Sequence, residues 1–209
     1  MEEIAPDPGI RAGLWLIAEP EEELLALARL SPPEKAMLTD MSHPLRRKQW
    51  MACRALLNHM LGPGRPPVVY DPNGKPFLDS SDLALSFSHT AGFAAAAIRT
   101  GGPVGVDIEK VSVRLEKVRE RFLSADEQRW LPPGYPEGLL NVLWGAKESA
   151  YKLQGHPGTD IRDDIHVAPF DYLCAGTGRC SANLKTAANP REISIFYRHT
   201  REFMLVVAW

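Results

Sequence analysis

The stretch His89-Thr90-Ala91-Gly92-Phe93 returns late in the chain as His199-Thr200-Arg201-Glu202-Phe203, and each copy runs into a short apolar strand. A second echo lies in the main helical pattern of each half, Trp50-Met51-Ala52 in the first and Trp144-Gly145-Ala146 in the second. Self-similarity of this kind is the mark of a repeated structural unit. The break Gly101-Gly102-Pro103 falls between the copies. These features predict an α+β protein made of two similar α/β halves, residues 1–102 and 103–209, each a small antiparallel sheet packed with a long helix.

Around the first copy, Glu21 to Leu30 reads as a helix. Ser31, Pro32 and Glu34 then give a helix-start signature of cap, first-turn proline and acceptor three residues on. A stronger helix spans Pro44 to Leu61, with Leu45, Trp50, Cys53, Leu56, Leu57 and Met60 at helical spacing, and Gly62 to Pro67 ends it. Val68–Tyr70 reads as a strand leading into the turn Asp71-Pro72-Asn73-Gly74. Leu83–Phe87 and Phe93–Ile98 read as strands on either side of a tight Ser88-His89-Thr90-Ala91-Gly92 segment.

Beyond the break, Val104–Ile108 is a short strand and Val113–Phe122 a helix with an apolar face and a basic one, Arg114, Lys117 and Arg121. Ser124 with Glu127 repeats the capping signature, and Glu137–Leu153 is the long helix of this half. Strand patterns near Ile165–Ala168, Glu192–Tyr197 and Phe203–Ala208 make the remainder β-rich.

The 209 residues are 44% apolar and 24% charged, as expected of a globular protein with a real core. A formal charge of −2 gives no bulk attraction to nucleic acid or to a membrane surface, so any anionic ligand must be met by a local basic cluster. No apolar run approaches a membrane span, and the start of the chain lacks signal-peptide character. Cys53, Cys174 and Cys180 are odd in number and without metal-ligand spacing, which predicts free thiols and a cytoplasmic protein.

Four constellations carry chemistry. In Gly105-Val106-Asp107-Ile108-Glu109, strand alternation puts Asp107 and Glu109 on one face and Val104, Val106 and Ile108 on the other. Two neighbouring carboxylates repel one another, and an oxygen-only donor set suits magnesium. In Trp144-Gly145-Ala146-Lys147-Glu148-Ser149-Ala150-Tyr151-Lys152, residues Trp144, Glu148 and Lys152 share a helix face. The pair Glu148 and Lys152 is either a surface ion pair or, partly buried beside the tryptophan, a metal ligand or base beside an anion-binding lysine. In Ser86-Phe87-Ser88-His89-Thr90 the histidine and hydroxyls suit phosphate oxygens, although a locally bonded histidine has the same pattern. The fourth set is basic: Arg46, Arg47, Lys48 and Arg54, with Lys75 in Gly74-Lys75-Pro76. Arginine forks suit phosphate, and a solvated helix face is the plain alternative. No Gly-x-Ser-x-Gly elbow is present, which disfavours a serine hydrolase.

Taken in order, Gly-Lys-Pro, Ser-x-Ser-His, Gly-Val-Asp-Ile-Glu and Trp-x-x-Lys-Glu-Ser-x-x-Lys resemble the 4′-phosphopantetheinyl transferase superfamily. The likeness is to its two-lobed Sfp-type branch and not to the short trimeric holo-acyl-carrier-protein synthases. It spans Pro44 to Lys152, with Arg121-Phe122-Leu123-Ser124 and Glu127 fitting the linking segment. Ser149 stands where the family usually has alanine.

The resemblance implies a pseudo-twofold pair of halves with coenzyme A bound between them, magnesium (or manganese) as cofactor, and a monomer in which the pseudo-dimer replaces a subunit interface. It implies that Asp107, Glu109 and Glu148 hold the metal against the pyrophosphate, Glu109 directly or through water. It gives His89 and Ser88 to the pyrophosphate, Arg47 and Arg54 to the 3′-phosphate, Gly74, Lys75 and Pro76 to the adenine, and Lys152 to a phosphate oxygen. Glu148, Lys152 and His89 are then the catalytic residues, Glu148 as base. The implied partner is an acyl carrier protein or a peptidyl or polyketide carrier domain, with neither nucleic acid nor membrane involved. Such carriers are acidic around the modified serine, which makes the Arg114, Lys117 and Arg121 stripe a candidate docking surface. Two other readings are a magnesium-dependent phosphohydrolase or nuclease using the same carboxylates, and a coenzyme A-binding module without catalysis.

Overall fold

A computed structural model describes residues 1–186 and 189–209, and the chain divides into two compact units, Met1–Pro103 and Val104–Trp209. Helices and antiparallel sheets are mixed in both, so the fold is α+β.

The first unit begins with strands β1 (Glu2–Asp7) and β2 (Ile10–Leu16), followed by helices α1 (Glu21–Ala28), α2 (Pro32–Thr39) and α3 (Pro44–Leu61). Ser31 and Glu34 close a reciprocal capping box on α2. Pro44 opens α3, and Gly62, at a positive φ of 86° that a side chain would disfavour, ends it. Strands β3 (Val68–Tyr70) and β4 (Pro76–Leu78) form a separate two-stranded ribbon. The last two strands, β5 (Ala84–Thr90) and β6 (Phe93–Arg99), complete an antiparallel sheet of order β1-β2-β6-β5. Helix α3 lies on this sheet because the strands facing it are made of small residues: Ala94 and Ala96 are fully buried, and a Cβ on Gly13 would come within 2.9 Å of Leu56 and Met60. Trp50, Cys53, Leu56, Leu57 and Met60 fill the space between them.

The second unit opens with β7 (Gly105–Glu109), a 3₁₀ helix (Val113–Arg121), α4 (Ala125–Trp130) and α5 (Leu139–Gln154). It continues with β8 (Ile165–Val167), β9 (Gly176–Leu184), β10 (Arg191–His199) and β11 (Met204–Ala208), in an antiparallel sheet of order β7-β11-β10-β9-β8. Each unit therefore contains a strand, a long helix and then a hairpin whose second strand pairs with the first strand: β2, α3, β5–β6 in one and β7, α5, β10–β11 in the other. The repeated His-Thr-x-x-Phe stretch falls at the turn of the hairpin in both, with Thr90 opposite Phe93 and the Thr200 amide donating to the Phe203 carbonyl at 3.0 Å.

Two sequence expectations change. Ser88, His89 and Thr90 belong to β5, not to a turn, because Ser88, His89 and Thr90 pair with Ala95, Ala94 and Phe93; the turn itself is only Ala91-Gly92. The segment after β7 is a 3₁₀ helix with no fully buried residue, where an amphipathic α-helix was expected. Leu115 and Val118, its two residues packed on the core, are three apart, which matches the three-residue turn of that helix. No helix among the described residues is long and apolar enough to cross a membrane, and all three cysteines are free.

Candidate active site

Two glycines bring α5 down onto β7. A Cβ on Gly105 would lie 1.8 Å from the Ser149 carbonyl oxygen, so only a glycine lets the helix backbone sit this close to the strand. On the helix side, a Cβ on Gly145 would lie 2.6 Å from Val206 of the neighbouring strand and 3.7 Å from Asp107 Oδ2. Gly105→Ala should therefore drive the helix off the strand. We expect it to lower stability by about 3 kcal/mol or more and to remove activity with it, since the overlap is with backbone that no rotamer change relieves; urea denaturation of the variant checks this.

The close approach fixes the chemistry. Gly105, Asp107 and Glu109 share the face of β7 that meets α5, and Asp107 is almost wholly buried there. On α5, Glu148 and Lys152 lie on one stripe with Trp144, which packs edge-on against Phe122 at 5.2 Å. Lys152 Nζ donates to Asp107 Oδ1 at 2.6 Å and to the Val106 carbonyl at 3.2 Å. Burial, and after it the negative charge of Asp107, push the Glu148 carboxyl above its ordinary range, with Lys152 acting in the opposite direction. Asp107, Glu148 and Lys152 thus form one electrostatic unit.

Glu109 ends β7 on the same face, half-buried. Among the described residues no three His, Cys, Asp or Glu side chains are grouped closely enough to hold a metal ion. The carboxylate deepest in the site, Asp107, is instead ion-paired to Lys152.

Lys147, one position before Glu148, is a residue whose role the sequence did not reveal. Its side chain is 0% exposed, and its ammonium meets Glu127 at 2.9 Å and the carbonyls of Ile161 and Ile165. Burial pulls that ammonium below its usual range, Glu127 opposing. Glu127 also accepts from the Ser124 and Val167 amides, each at 2.8 Å, so one buried ion pair joins α4, α5 and β8. A signal was present: Lys147 lies between Leu143 and Ala150 on the apolar side of the helix, not on the Glu148 stripe.

In the first unit, α3 is stitched to the end of β5 by residues on one stripe. Arg46 donates to His89 Nε2, Gln49 to the Thr90 carbonyl at 3.1 Å, and the Cys53 thiol lies 3.7 Å from the Ser88 carbonyl. Ser88 is buried in the strand beside His89.

The two arginines expected at a phosphate have internal partners. Arg47 meets Glu21 at 2.8 Å and donates to the carbonyls of Leu38 and Met41 at 2.6 and 3.0 Å. Arg54 is 2% exposed; its guanidinium stacks over Trp50 at 3.6 Å, bonds the Tyr70 hydroxyl and lies 3.8 Å from Glu34. The helix carrying both runs from the surface into the core, so its arginine stripe is exposed at Arg46 and buried at Arg54. Gly74, Lys75 and Pro76 close the β3–β4 ribbon, where Asp71 accepts from the Asn73 and Lys75 amides at 2.9 and 2.8 Å and Gly74 has φ +83°. Burial pulls the Lys75 ammonium below its usual range, with Asp71 opposing.

Residues 103–205 match a family model described as the 4′-phosphopantetheinyl transferase superfamily. The chain is similar to the 4′-phosphopantetheinyl transferase AcpT of Escherichia coli (strain K12), 32% identical over 116 residues that cover 53% of this chain and 59% of that protein. It is likewise similar to AcpT of Salmonella typhi, 30% identical over 126 residues (57% and 65%). A third relative is the 4′-phosphopantetheinyl transferase gsp of Aneurinibacillus migulanus, 35% identical over 85 residues (39% and 35%). The chain spans about three-fifths of the length of the AcpT proteins it matches. Residues 103–205, which hold the Asp107, Glu148 and Lys152 unit, carry the domain of the 4′-phosphopantetheinyl transferase superfamily.

Proposed function

We propose that the protein transfers the 4′-phosphopantetheine arm of coenzyme A to a serine of an acyl, peptidyl or polyketide carrier protein, releasing 3′,5′-ADP. The observation that carries this reading is the setting of Asp107 and Glu148 against each other, with Lys152 beside them, in the part of the chain that matches the superfamily.

Magnesium, with manganese as a substitute, fits the donor chemistry. Asp107 and Glu148 are oxygen ligands at a sheltered site, and the charge of Asp107 disfavours that of Glu148, which a divalent cation offsets. Asp107 and Glu148 would hold it, with Glu109 reaching it through water, and once bound it would neutralise charge on the pyrophosphate oxygens.

In the transfer, the carrier serine Oγ bonds to the β-phosphorus and the bond from that phosphorus to the bridging oxygen breaks. The electron pair leaves on 3′,5′-ADP, and the serine proton passes to Glu148 as general base, directly or through a water. Lys152 offers a donor to charge developing on a phosphate oxygen. In the first unit, His89 and Arg46 form the cationic corner suited to a phosphate of coenzyme A, with Ser88 behind them. Given the internal contacts of Arg47 and Arg54, we assign the outward arginine contact to Arg46 and a supporting role to the other two. Gly74, Lys75 and Pro76 border the adenine, and the exposed Arg114, Lys117 and Arg121 meet an acidic carrier.

Steady-state kinetics separate these roles. His89→Ala should raise KM for coenzyme A by about ten-fold or more, the equivalent of a lost charge-assisted hydrogen bond, and leave KM for the carrier unchanged. Lys117→Glu should do the reverse. Equal effects of either variant on both substrates contradict the assignment.

A further inference from the structure

We propose that Tyr135 is a positioning residue for the carrier: its hydroxyl ties the 3₁₀ helix Val113–Arg121 to the loop before α5 and so holds the exposed pair Arg114 and Lys117 in place. This rests on the carrier reading above, and Tyr135 itself touches no substrate.

The 3₁₀ helix is weakly held by its own residues. It runs for nine residues without a fully buried one, whereas 3₁₀ runs beyond about four residues are uncommon because their hydrogen bonds are poorly aligned. With about three residues per turn, its positions fall into three rows. Leu115 and Val118 form the row packed on the core. Arg114 and Lys117 form a second, exposed row, and Glu116 and Arg119 belong to the third. Beside the third row lies a cavity of about 250 Å³, lined by Arg119, Gln128, Leu131, Pro133 and Tyr135, so packing does not close this side of the helix.

A ring of hydrogen bonds closes it instead. The Tyr135 hydroxyl donates to Glu116 and accepts from Arg119 Nη1 at 3.3 Å, and Arg119 meets Glu116 at 3.0 Å. An exposed i,i+3 ion pair contributes little alone, and this one lies wholly within the helix. The phenol adds a fixed point outside it. Its ring packs against the core of the second unit, and Pro132, Pro133 and Pro136 restrict the backbone on either side. Burial, and after it the bond to Glu116, push the Tyr135 phenol above its ordinary range, so the hydroxyl keeps its proton and remains a donor. With the core on one row and Tyr135 on another, the row left to solvent is the cationic one.

Tyr135→Phe tests this, because it removes the tie and leaves the Glu116–Arg119 pair intact. Amide hydrogen exchange is followed by mass spectrometry in the protein alone, and steady-state transfer is measured with coenzyme A, magnesium and an apo acyl carrier protein. Exchange should quicken over residues 113–121 and not over α5. KM for the carrier should rise about three- to ten-fold, the equivalent of one ordinary hydrogen bond, with kcat and KM for coenzyme A unchanged. In a Lys117→Glu background the same substitution should raise that KM less, because the row it positions is already broken. Unchanged exchange over residues 113–121, an unmoved KM for the carrier, or an equal rise in both backgrounds overturns the positioning role while the transferase reading stands. Equal changes in both KM values, or a matching fall in kcat, make Tyr135 a general structural residue and overturn it as well. A wild-type protein that modifies no carrier of any class overturns both readings.

Discussion

Asp107→Asn should lower transfer by about 10²–10³-fold or more while the protein remains folded, the scale on which loss of one preorganised charge-stabilising group is felt. The substitution keeps the shape of a side chain buried on β7 under α5 and removes only its charge. An asparagine oxygen still accepts from Lys152, so the expected loss of stability is about 1–3 kcal/mol, that of weakening one charge-assisted hydrogen bond. Urea unfolding and circular dichroism check the fold, and single-turnover transfer checks the chemistry. Activity within a few-fold of wild type removes Asp107 from the mechanism. A protein that fails to fold makes it a structural residue instead.

The second large effect concerns stability. Lys147→Met should cost about 3–5 kcal/mol, because it leaves Glu127 as an uncompensated buried charge where α4, α5 and β8 meet. The double change Lys147→Met with Glu127→Gln removes both charges and should recover at least about 1 kcal/mol of that loss. Equilibrium denaturation of the two single variants and the double variant completes the cycle. A Lys147→Met protein as stable as wild type would mean that the ion pair contributes nothing to holding α5 on the unit. Since Glu148 is the next residue along that helix, a shift there would move the proposed base away from Asp107.

The parts of the fold that were legible in the sequence are those whose determinants are local. The bounds of α3 follow from Pro44 and Gly62, the starts of α2 and α4 from Ser31 with Glu34 and Ser124 with Glu127, and the carboxylate faces from the alternation of β7 and the four-residue spacing on α5. What was not legible depends on partners distant in the chain. Strand β9 is polar and glycine-bearing, and it is a strand because β10 and β8 pair with it on both sides. Arg54 looks like a surface arginine until Trp50, Tyr70 and Glu34 are brought around it. Lys147 looks like its neighbour Glu148 until Glu127 and the Ile161–Ile165 carbonyls enclose it. In the candidate site, residue types and spacing pointed to Asp107, Glu148 and Lys152, whereas the ion pair between the first and last of them required the close approach of α5 that Gly105 and Gly145 permit.

The most direct measurement of the whole account is intact mass spectrometry of an apo acyl carrier protein incubated with this protein, coenzyme A and magnesium. The expected result is a carrier heavier by one phosphopantetheinyl group on its serine, with one 3′,5′-ADP released for each adduct and both products formed at least about 10²-fold more slowly by Asp107→Asn. Carriers of several classes left at their apo mass, with coenzyme A intact or simply hydrolysed, would contradict it.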